Sequence, residues 1–280
     1  MMVLRRLLTA LAAVLVAACG ATGSGPSLAV GAPDDPEGAL LAHIYAAGLR
    51  YYGTAARVEA SGDALEALGA GKVSVATGFT GRLLQRLDPE SQARSAEQVY
   101  RALAGALPEG LAAADYAVAA EDKPALAVTD TIATGWGGRD LAALVRHCAA
   151  LRVGTLSGTE SPGQVGSCVL SAVREYGDPT MLFDALTAGE INAAWTTTAG
   201  TALPDGIVVL ADRKPALVPA ENVVALFRRN ELDPMQLRAV NEIAGVLDTA
   251  SLIDMRRKVQ GGADPQSVAE EWLAANPLGR

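Results

Sequence analysis

Short apolar segments alternate with amphipathic ones from residue 28 onwards, and this alternation limits the fold more than any other feature. A predicted strand at 28–31 is followed by a turn at 32–36 and a helix at 37–52, in which apolar residues recur at helical spacing. Predicted strands at 56–60 and 73–77 flank a second, shorter helix. Strands that are joined through helices and short loops indicate a mainly parallel sheet with helices on both faces.

The loops at the carboxyl ends of these strands supply the first candidate ligand-binding residues. Ligands of open α/β sheets bind at that edge, where the loops 33–36, 61–63 and 78–81 are expected. These loops contain Asp34, Ser61, Phe79 and Thr80. We interpret the neighbouring Asp35 and Glu37 as favourable charges at a helix start rather than as a cation site.

A second series of strands and helices occupies the middle of the chain. Strands are predicted at 117–120, 125–129, 152–156, 191–195 and 207–211, and helices at 138–151, 165–176 and 181–188. The segments 122–126 and 212–217 have similar sequences, Asp-Lys-Pro-Ala-Leu and Asp-Arg-Lys-Pro-Ala-Leu, and chance similarity is the alternative to a shared role. We interpret both as crossovers between two lobes. The predicted lobes are 28–121 with 216–280, and 122–215; helices at 230–247, 249–260 and 265–275 complete the first.

The first twenty residues predict export and lipid attachment. Arg5 and Arg6 precede an apolar run of about twelve residues, shorter than the roughly twenty that cross a bilayer as a helix. The run ends in Val-Ala-Ala-Cys, a lipobox pattern in which Cys19 is acylated after cleavage. We therefore expect a signal peptide at 1–18, a linker at 19–27 and a lipid anchor on the extracytoplasmic face of the cell membrane. Plain secretion and an inner-membrane anchor are the alternatives.

Charge and histidine count exclude several classes of function. The chain has 23 Lys and Arg against 31 Asp and Glu, so it lacks the basic excess that phosphate neutralisation requires, and we expect no nucleic-acid partner. Its two histidines, His43 and His147, lie on predicted helices without an acidic cluster at ligand spacing. We therefore predict no metal site, no hydrolase triad and no cofactor.

Two cysteines remain once Cys19 is assigned to the lipid. Cys148 and Cys168 form an even pair in an oxidising compartment, and both a disulfide and two separate buried thiols fit the sequence. His147 adjoins Cys148, but neighbours on a helix point about 100° apart, so they do not form a catalytic dyad.

Several weak motifs, in a fixed order, resemble the substrate-binding lipoproteins of glycine betaine, choline and carnitine-type ABC importers. The motifs are the lipobox, Gly-Phe-Thr-Gly at 78–81, Asp-Leu at 140–141, Glu-Tyr-Gly at 175–177, Ala-Leu-x-x-Gly-Glu-Ile-Asn at 185–192 and two patterns in the C-terminal helices, at 237–242 and 268–273. This resemblance implies a type II periplasmic-binding-protein fold, with two α/β lobes, mixed sheets and two crossover segments. It also implies a small-molecule ligand, an ABC permease as partner and a monomer.

Ligands of that family carry a quaternary ammonium, which has no N–H group and is recognised by aromatic faces. The rings expected in the cleft are Phe79, Trp195, Trp136 and Tyr116. Phe79 stands where the family usually has Tyr, and the loop 158–164 lacks the family's Arg, which pairs with a ligand carboxylate. A carboxylate would instead bind a helix N-terminus and the hydroxyl groups of Ser157, Thr159 and Thr197.

Three functions are consistent with the sequence. The first is a solute-binding protein that captures an osmolyte or quaternary-amine-like ligand by hinge closure. The second is a diverged member that acts as a sensor or in envelope maintenance, which the missing cage residues support. An enzyme is the most remote: the loop 158–165 has the glycine spacing of a P-loop, but Gln164 and Val165 replace the required Lys and Ser or Thr.

Overall fold

The computed structural model describes residues 27–159, 161–170, 173–200 and 202–279. The predicted signal peptide, Cys19 and all of the predicted linker except Ser27 lie outside the described residues. Within the described ranges, no helix is long and apolar enough to cross a membrane.

The strands and helices alternate over most of the chain. In chain order they are β1 (Leu28–Pro33), α1 (Pro36–Tyr51), β2 (Ala56–Gly62), α2 (Ala64–Gly69), β3 (Val75–Phe79), α3 (Thr80–Leu87), α4 (Ala96–Ala106), β4 (Leu111–Ala113), β5 (Pro124–Thr129), α5 (Asp130–Gly135), α6 (Leu141–Arg146), β6 (Val153–Leu156), β7 (Gln164–Val165), β8 (Cys168–Val169), β9 (Arg174–Tyr176), α7 (Pro179–Thr187), β10 (Ala193–Thr197), β11 (Ile207–Val209), β12 (Val223–Arg228), α8 (Pro234–Val246), α9 (Thr249–Gln260) and α10 (Pro265–Ala275).

The first five-stranded sheet has the order β2-β1-β3-β12-β4. Strands β1, β2 and β3 are parallel, whereas β12 is antiparallel to both of its neighbours. Helices α1, α8, α9 and α10 pack on one face, where their apolar side chains form a core with β1, β3 and β12. Because β12 is antiparallel to β3, its first residue, Val223, pairs with Phe79 at the carboxyl end of β3.

The second five-stranded sheet has the order β11-β5-β10-β6-β9. Strand β6 is parallel to β10 and β9, while β5 is antiparallel to β10 and β11, so this sheet is mixed. The chain passes from the first sheet to the second between β4 and β5, and returns between β11 and β12. We call the residues 114–123 the first crossover and 210–222 the second. The two sheets form the cores of two lobes.

The helix predicted at 165–176 is wrong. This region contains the two-stranded hairpin β7–β8 and the strand β9 instead. Gly166 in the hairpin turn has φ +57°, a conformation that a continuous right-handed helix does not allow. A disulfide joins Cys168 in the hairpin to Cys148, with a Cα–Cα distance of 5.6 Å.

Two further predicted elements differ from the structure. The helix predicted at 138–151 is shorter, because α6 ends before His147, whose ring stacks on Trp136 at 5.3 Å between centroids. A short 3-10 turn, Cys148–Ala150, follows. The residues 117–120, predicted as a strand, form a turn in the first crossover, closed by a hydrogen bond from Ala120 N to Ala117 O.

Candidate ligand-binding site

Phe79 lies at the carboxyl end of β3, immediately before α3. It is buried, and the guanidinium of Arg82, in the first turn of α3, lies 4.6 Å from the centroid of its ring. The guanidinium of Arg256, on α9, lies 5.8 Å from the same centroid. Both distances are within the range of cation–π attraction. The ring is therefore covered by two cationic side chains of the protein itself.

Two carboxylates balance these two arginines. Arg82 donates from Nη1 to Glu37 Oε2 at 3.1 Å and from Nη2 to Asp122 Oδ2 at 3.0 Å. Arg256 donates from Nη2 to the same Asp122 oxygen at 3.2 Å, and also to Glu37 Oε1. We call Glu37, Phe79, Arg82, Asp122 and Arg256 the arginine cluster. Its charged groups sum to zero.

The charged members of the arginine cluster differ in their exposure. Asp122 is only 4% exposed, whereas the side chain of Arg82 is 49% exposed. The side chain of Arg256 is 14% exposed, and burial lowers its pKa to about 10, with Asp35 acting in the opposite direction. Arg256 is therefore still protonated at neutral pH and is held in place, while Arg82 borders the solvent.

The arginine cluster lies where the two lobes meet. Arg256 Nη1 donates to the carbonyl oxygen of Ala199, just after β10 of the second lobe, at 3.0 Å. Nearby, Thr198 Oγ1 accepts from Lys123 N at 2.9 Å. A cavity of about 330 Å³ adjoins the cluster. It is lined by Asp35, Pro36, Glu37, Leu40, Ala199, Gly200, Arg256, Val259 and Gln260.

The second crossover fixes the first turn of α3 through hydrogen bonds to its backbone. Glu221 Oε2 accepts hydrogen bonds from Gly81 N at 3.0 Å and Arg82 N at 2.9 Å. A Cβ at Gly81 would lie 2.6 Å from the carbonyl oxygen of Ala220, so only glycine fits at this close approach. Burial raises the pKa of Glu221 to about 7, although the two N–H groups oppose this shift.

The residues predicted from the three loops are only partly brought together. Thr80 is fully buried beside Phe79, and its Oγ1 accepts from Asn222 N at 3.0 Å, so it contacts the second crossover rather than the cavity. Ser61 donates to the carbonyl oxygen of Ala32 at 3.1 Å, and Asp34 is exposed.

The other predicted rings lie outside the arginine cluster. Trp195 is buried in the core of the second lobe, where its Nε1 has no hydrogen-bond partner among the described residues. Trp136 packs against the same core and stacks on His147. Tyr116 lies 4.8 Å from Tyr100 in a separate core of the first lobe. Phe79 is thus the one predicted ring that the structure places in the cluster.

The predicted hydroxyl groups are spread along the second lobe. Ser157 and Thr159 are exposed in the turn after β6, and the segment that follows contains the hairpin rather than a helix. The prediction that a helix N-terminus binds a carboxylate there is therefore wrong. Thr197 ends β10, next to the loop that Arg256 contacts.

Four members of the arginine cluster are not predicted as ligand-binding residues from the sequence. Glu37 is interpreted there only as a favourable charge at a helix start. Arg82 directly follows the predicted loop 78–81, and a cation one helical turn beyond a ring could have been recognised there. Asp122 was interpreted only as part of a crossover, and Arg256 lies on a C-terminal helix that gives no local signal. Their proximity is a result of the tertiary fold.

Comparison with known proteins agrees with the motifs. Residues 175–275 match the family model described as the substrate binding domain of ABC-type glycine betaine transport system. The resemblance drawn from the sequence is confirmed. This family consists of substrate-binding proteins and not of enzymes, in agreement with the prediction for this chain. No curated protein sequence matches the chain.

Solved structures support the fold. A glycine betaine/carnitine/choline ABC transporter structure aligns with a TM-score of 0.68 and 18% identity, covering 89% of this chain and 98% of that one. Apo YehZ from Escherichia coli aligns with a TM-score of 0.65 and 19% identity, covering 90% of this chain and 99% of that one. An ABC-transporter choline binding protein in complex with choline aligns with a TM-score of 0.55 and 14% identity, covering 90% of this chain and 89% of that one. The predicted type II periplasmic-binding-protein fold is confirmed.

Proposed function

We propose that this chain is the lipid-anchored solute-binding protein of an ABC importer. It captures a small osmolyte or amine-like cation between its lobes and delivers it to a permease. The family match at 175–275 supports the solute-binding role, and the glycine betaine, carnitine and choline proteins of the same fold support a cationic ligand.

The observation that carries this proposal is the arginine cluster at the meeting of the lobes. An aromatic face and carboxylates are the groups that attract an organic cation. Phe79 supplies the face, and Glu37 and Asp122 supply the carboxylates, beside a cavity large enough for a small molecule. Arg82 and Arg256 now occupy the ring and the carboxylates, so the site is suited to a positively charged solute that displaces one of these arginines.

Hinge closure is the proposed mechanism of capture. The first and second crossovers connect the lobes, and bending in these few residues would move the loop 198–200 against α9. The contact from Arg256 to Ala199 would then form or break with closure. The closed form is the one that docks on the permease, as a monomer.

Anchoring through Cys19 would keep the protein near its permease. Durable tethering needs more than one acyl chain, which the lipoprotein pathway is expected to attach. A tether raises the local concentration of the receptor without using its surface. The disulfide between Cys148 and Cys168 supports an extracytoplasmic location, since disulfides persist in oxidising compartments.

Ligand-dependent stabilisation tests the solute-binding proposal. The full chain, purified in detergent, is heated with glycine betaine, choline, carnitine, amino acids and small amines. A ligand at 100 times its dissociation constant should stabilise the protein by about 2.7 kcal/mol. Phe79→Ala should reduce this effect, whereas Tyr116→Ala, which removes a ring outside the arginine cluster, should retain it. A panel without any shift would contradict the proposal.

Fractionation tests the anchor. In a bacterial host fed with labelled palmitate, the wild-type chain should carry the label and sediment with membranes. The Cys19→Ser variant should lose both properties, while Cys148→Ser retains them. Label on the Cys19→Ser variant would rule out this attachment site.

A further inference from the structure

The guanidinium of Arg82 lies against the ring of Phe79 and donates hydrogen bonds to two carboxylates. We propose that this guanidinium is an internal stand-in for the ligand, and that the ligand's own cation carries N–H donors, as a guanidinium or a protonated amine does. This ligand class rests on the proposed function, because it belongs to the same site. It differs from the fully methylated ammonium that the family resemblance implies.

The contacts of Arg82 come from three separate parts of the chain. The ring of Phe79 lies 4.6 Å from its guanidinium carbon, Glu37 on α1 accepts at 3.1 Å, and Asp122 on the first crossover accepts at 3.0 Å. One planar cation is thus bound by a ring face and two carboxylates together. These groups already form a complete subsite for a cation with N–H donors.

Arg82 is able to leave this subsite, whereas Arg256 is not. The side chain of Arg82 is half exposed, so it reaches solvent by rotating its flexible stem. Arg256 is largely buried and is fixed to the second lobe through Ala199. After Arg82 leaves, Glu37 and Asp122 outnumber Arg256, and the subsite attracts a cation.

The carboxylates decide which cation replaces Arg82. Asp122 is buried, and its Oδ1 has no hydrogen-bond partner among the described residues. When Arg82 leaves, Asp122 Oδ2 keeps only the hydrogen bond from Arg256, and the loss of a donor to a buried carboxylate is unfavourable. A quaternary ammonium has no N–H to restore the bonds that Glu37 and Asp122 lose, while a guanidinium or an amine has several. The subsite therefore discriminates in favour of N–H cations.

Competition from Arg82 has a measurable consequence. A ligand can bind only the fraction of molecules in which Arg82 has left, and its apparent affinity falls by that fraction. Removing the Arg82 guanidinium should therefore tighten the binding of a matching cation.

Calorimetric titration of the full chain with methylguanidinium and with tetramethylammonium tests this inference. Arg82→Ala should bind methylguanidinium about tenfold or more tightly than wild type does, about 1.4 kcal/mol, with no such gain for tetramethylammonium. The matched control is Arg86→Ala. Arg86 lies one turn further on α3, is equally exposed at 50% and pairs with Asp63 outside the cluster, so its loss should change neither affinity.

Arg82→Met, which keeps an apolar stem, gives the same test if the alanine variant unfolds. Equal binding of both cations by the Arg82 variants, or no gain over wild type, would overturn the inference. Tight and selective binding of tetramethylammonium would do so while leaving the proposed function intact. Failure of every variant to bind either cation, together with an unresponsive ligand panel, would overturn both.

Discussion

Lys123 and Asp212 form a buried ion pair that joins the first crossover to the second. Each side chain is only 9% exposed. Asp212 also accepts hydrogen bonds from the backbone N–H groups of Leu217 and Val218, at 2.9 and 3.2 Å. The pair thus ties the two connections between the lobes to each other, close to Asp122 of the arginine cluster.

Breaking this pair should strongly destabilise the protein. In Lys123→Ala, Asp212 is left buried without its cation, and the loss of a partner in such a pair costs about 3 to 5 kcal/mol. Arg174→Ala is the control, because it breaks an exposed pair with Glu190 and should cost less than about 1 kcal/mol. Urea denaturation measures both free energies of unfolding. Equal losses would show that the crossover pair contributes no more than a surface pair.

Glu221 should make the protein less stable as the pH rises. Its pKa is raised by burial from 4.5 to about 7 in the folded state. The folded protein therefore binds more protons than the unfolded chain between these values, and stability falls as the pH increases through this window. Across it, the effect is about 3 kcal/mol.

The Glu221→Gln variant isolates this titration. Glutamine keeps an oxygen for the N–H groups of Gly81 and Arg82 but does not titrate. Its stability relative to wild type should be higher at pH 8 than at pH 4.5, as measured by urea denaturation at both values. Parallel pH profiles for the two proteins would show that Glu221 does not titrate in this range.

The parts of the fold that follow local rules could be predicted from the sequence. The strand and helix order from 28 to 79 is confirmed, because periodicity alone defines it. Asp233-Pro234 and Asp264-Pro265 have the sequence pattern of a helix start, and both aspartates cap the helices that follow. Local capping and periodicity thus determine these elements without help from the rest of the chain.

The region 165–176 shows where local rules fail. Its apolar residues fit helical spacing, but the disulfide from Cys148 and the turn at Gly166 impose a hairpin. The arginine cluster could not be predicted from local sequence for a related reason. Arg256 is far from Phe79 in the sequence, and only the packing of α9 against the first lobe brings them together. Long-range contacts, rather than residue type, create this site.

Trp195 should contribute to stability rather than to ligand binding. It is buried in the core of the second lobe, so Trp195→Ala should lower the free energy of unfolding by about 3 to 5 kcal/mol. Trp195→Phe should cost much less, because it keeps a ring and removes an indole N–H without a partner among the described residues. Urea denaturation compares the variants. A stable Trp195→Ala protein with weakened ligand binding would instead support the original prediction of a cleft ring.

Reducing the disulfide should destabilise the second lobe. Cys148 and Cys168 are separated by 20 residues, and closing a loop of this length in the unfolded chain stabilises the folded state by about 3 kcal/mol. The midpoint of urea unfolding should therefore fall when a phosphine reductant is added. The double variant Cys148→Ser, Cys168→Ser is the control: its midpoint should match that of the reduced wild type and should not respond to the reductant. An unchanged wild-type midpoint would show that the hairpin is held without the covalent link.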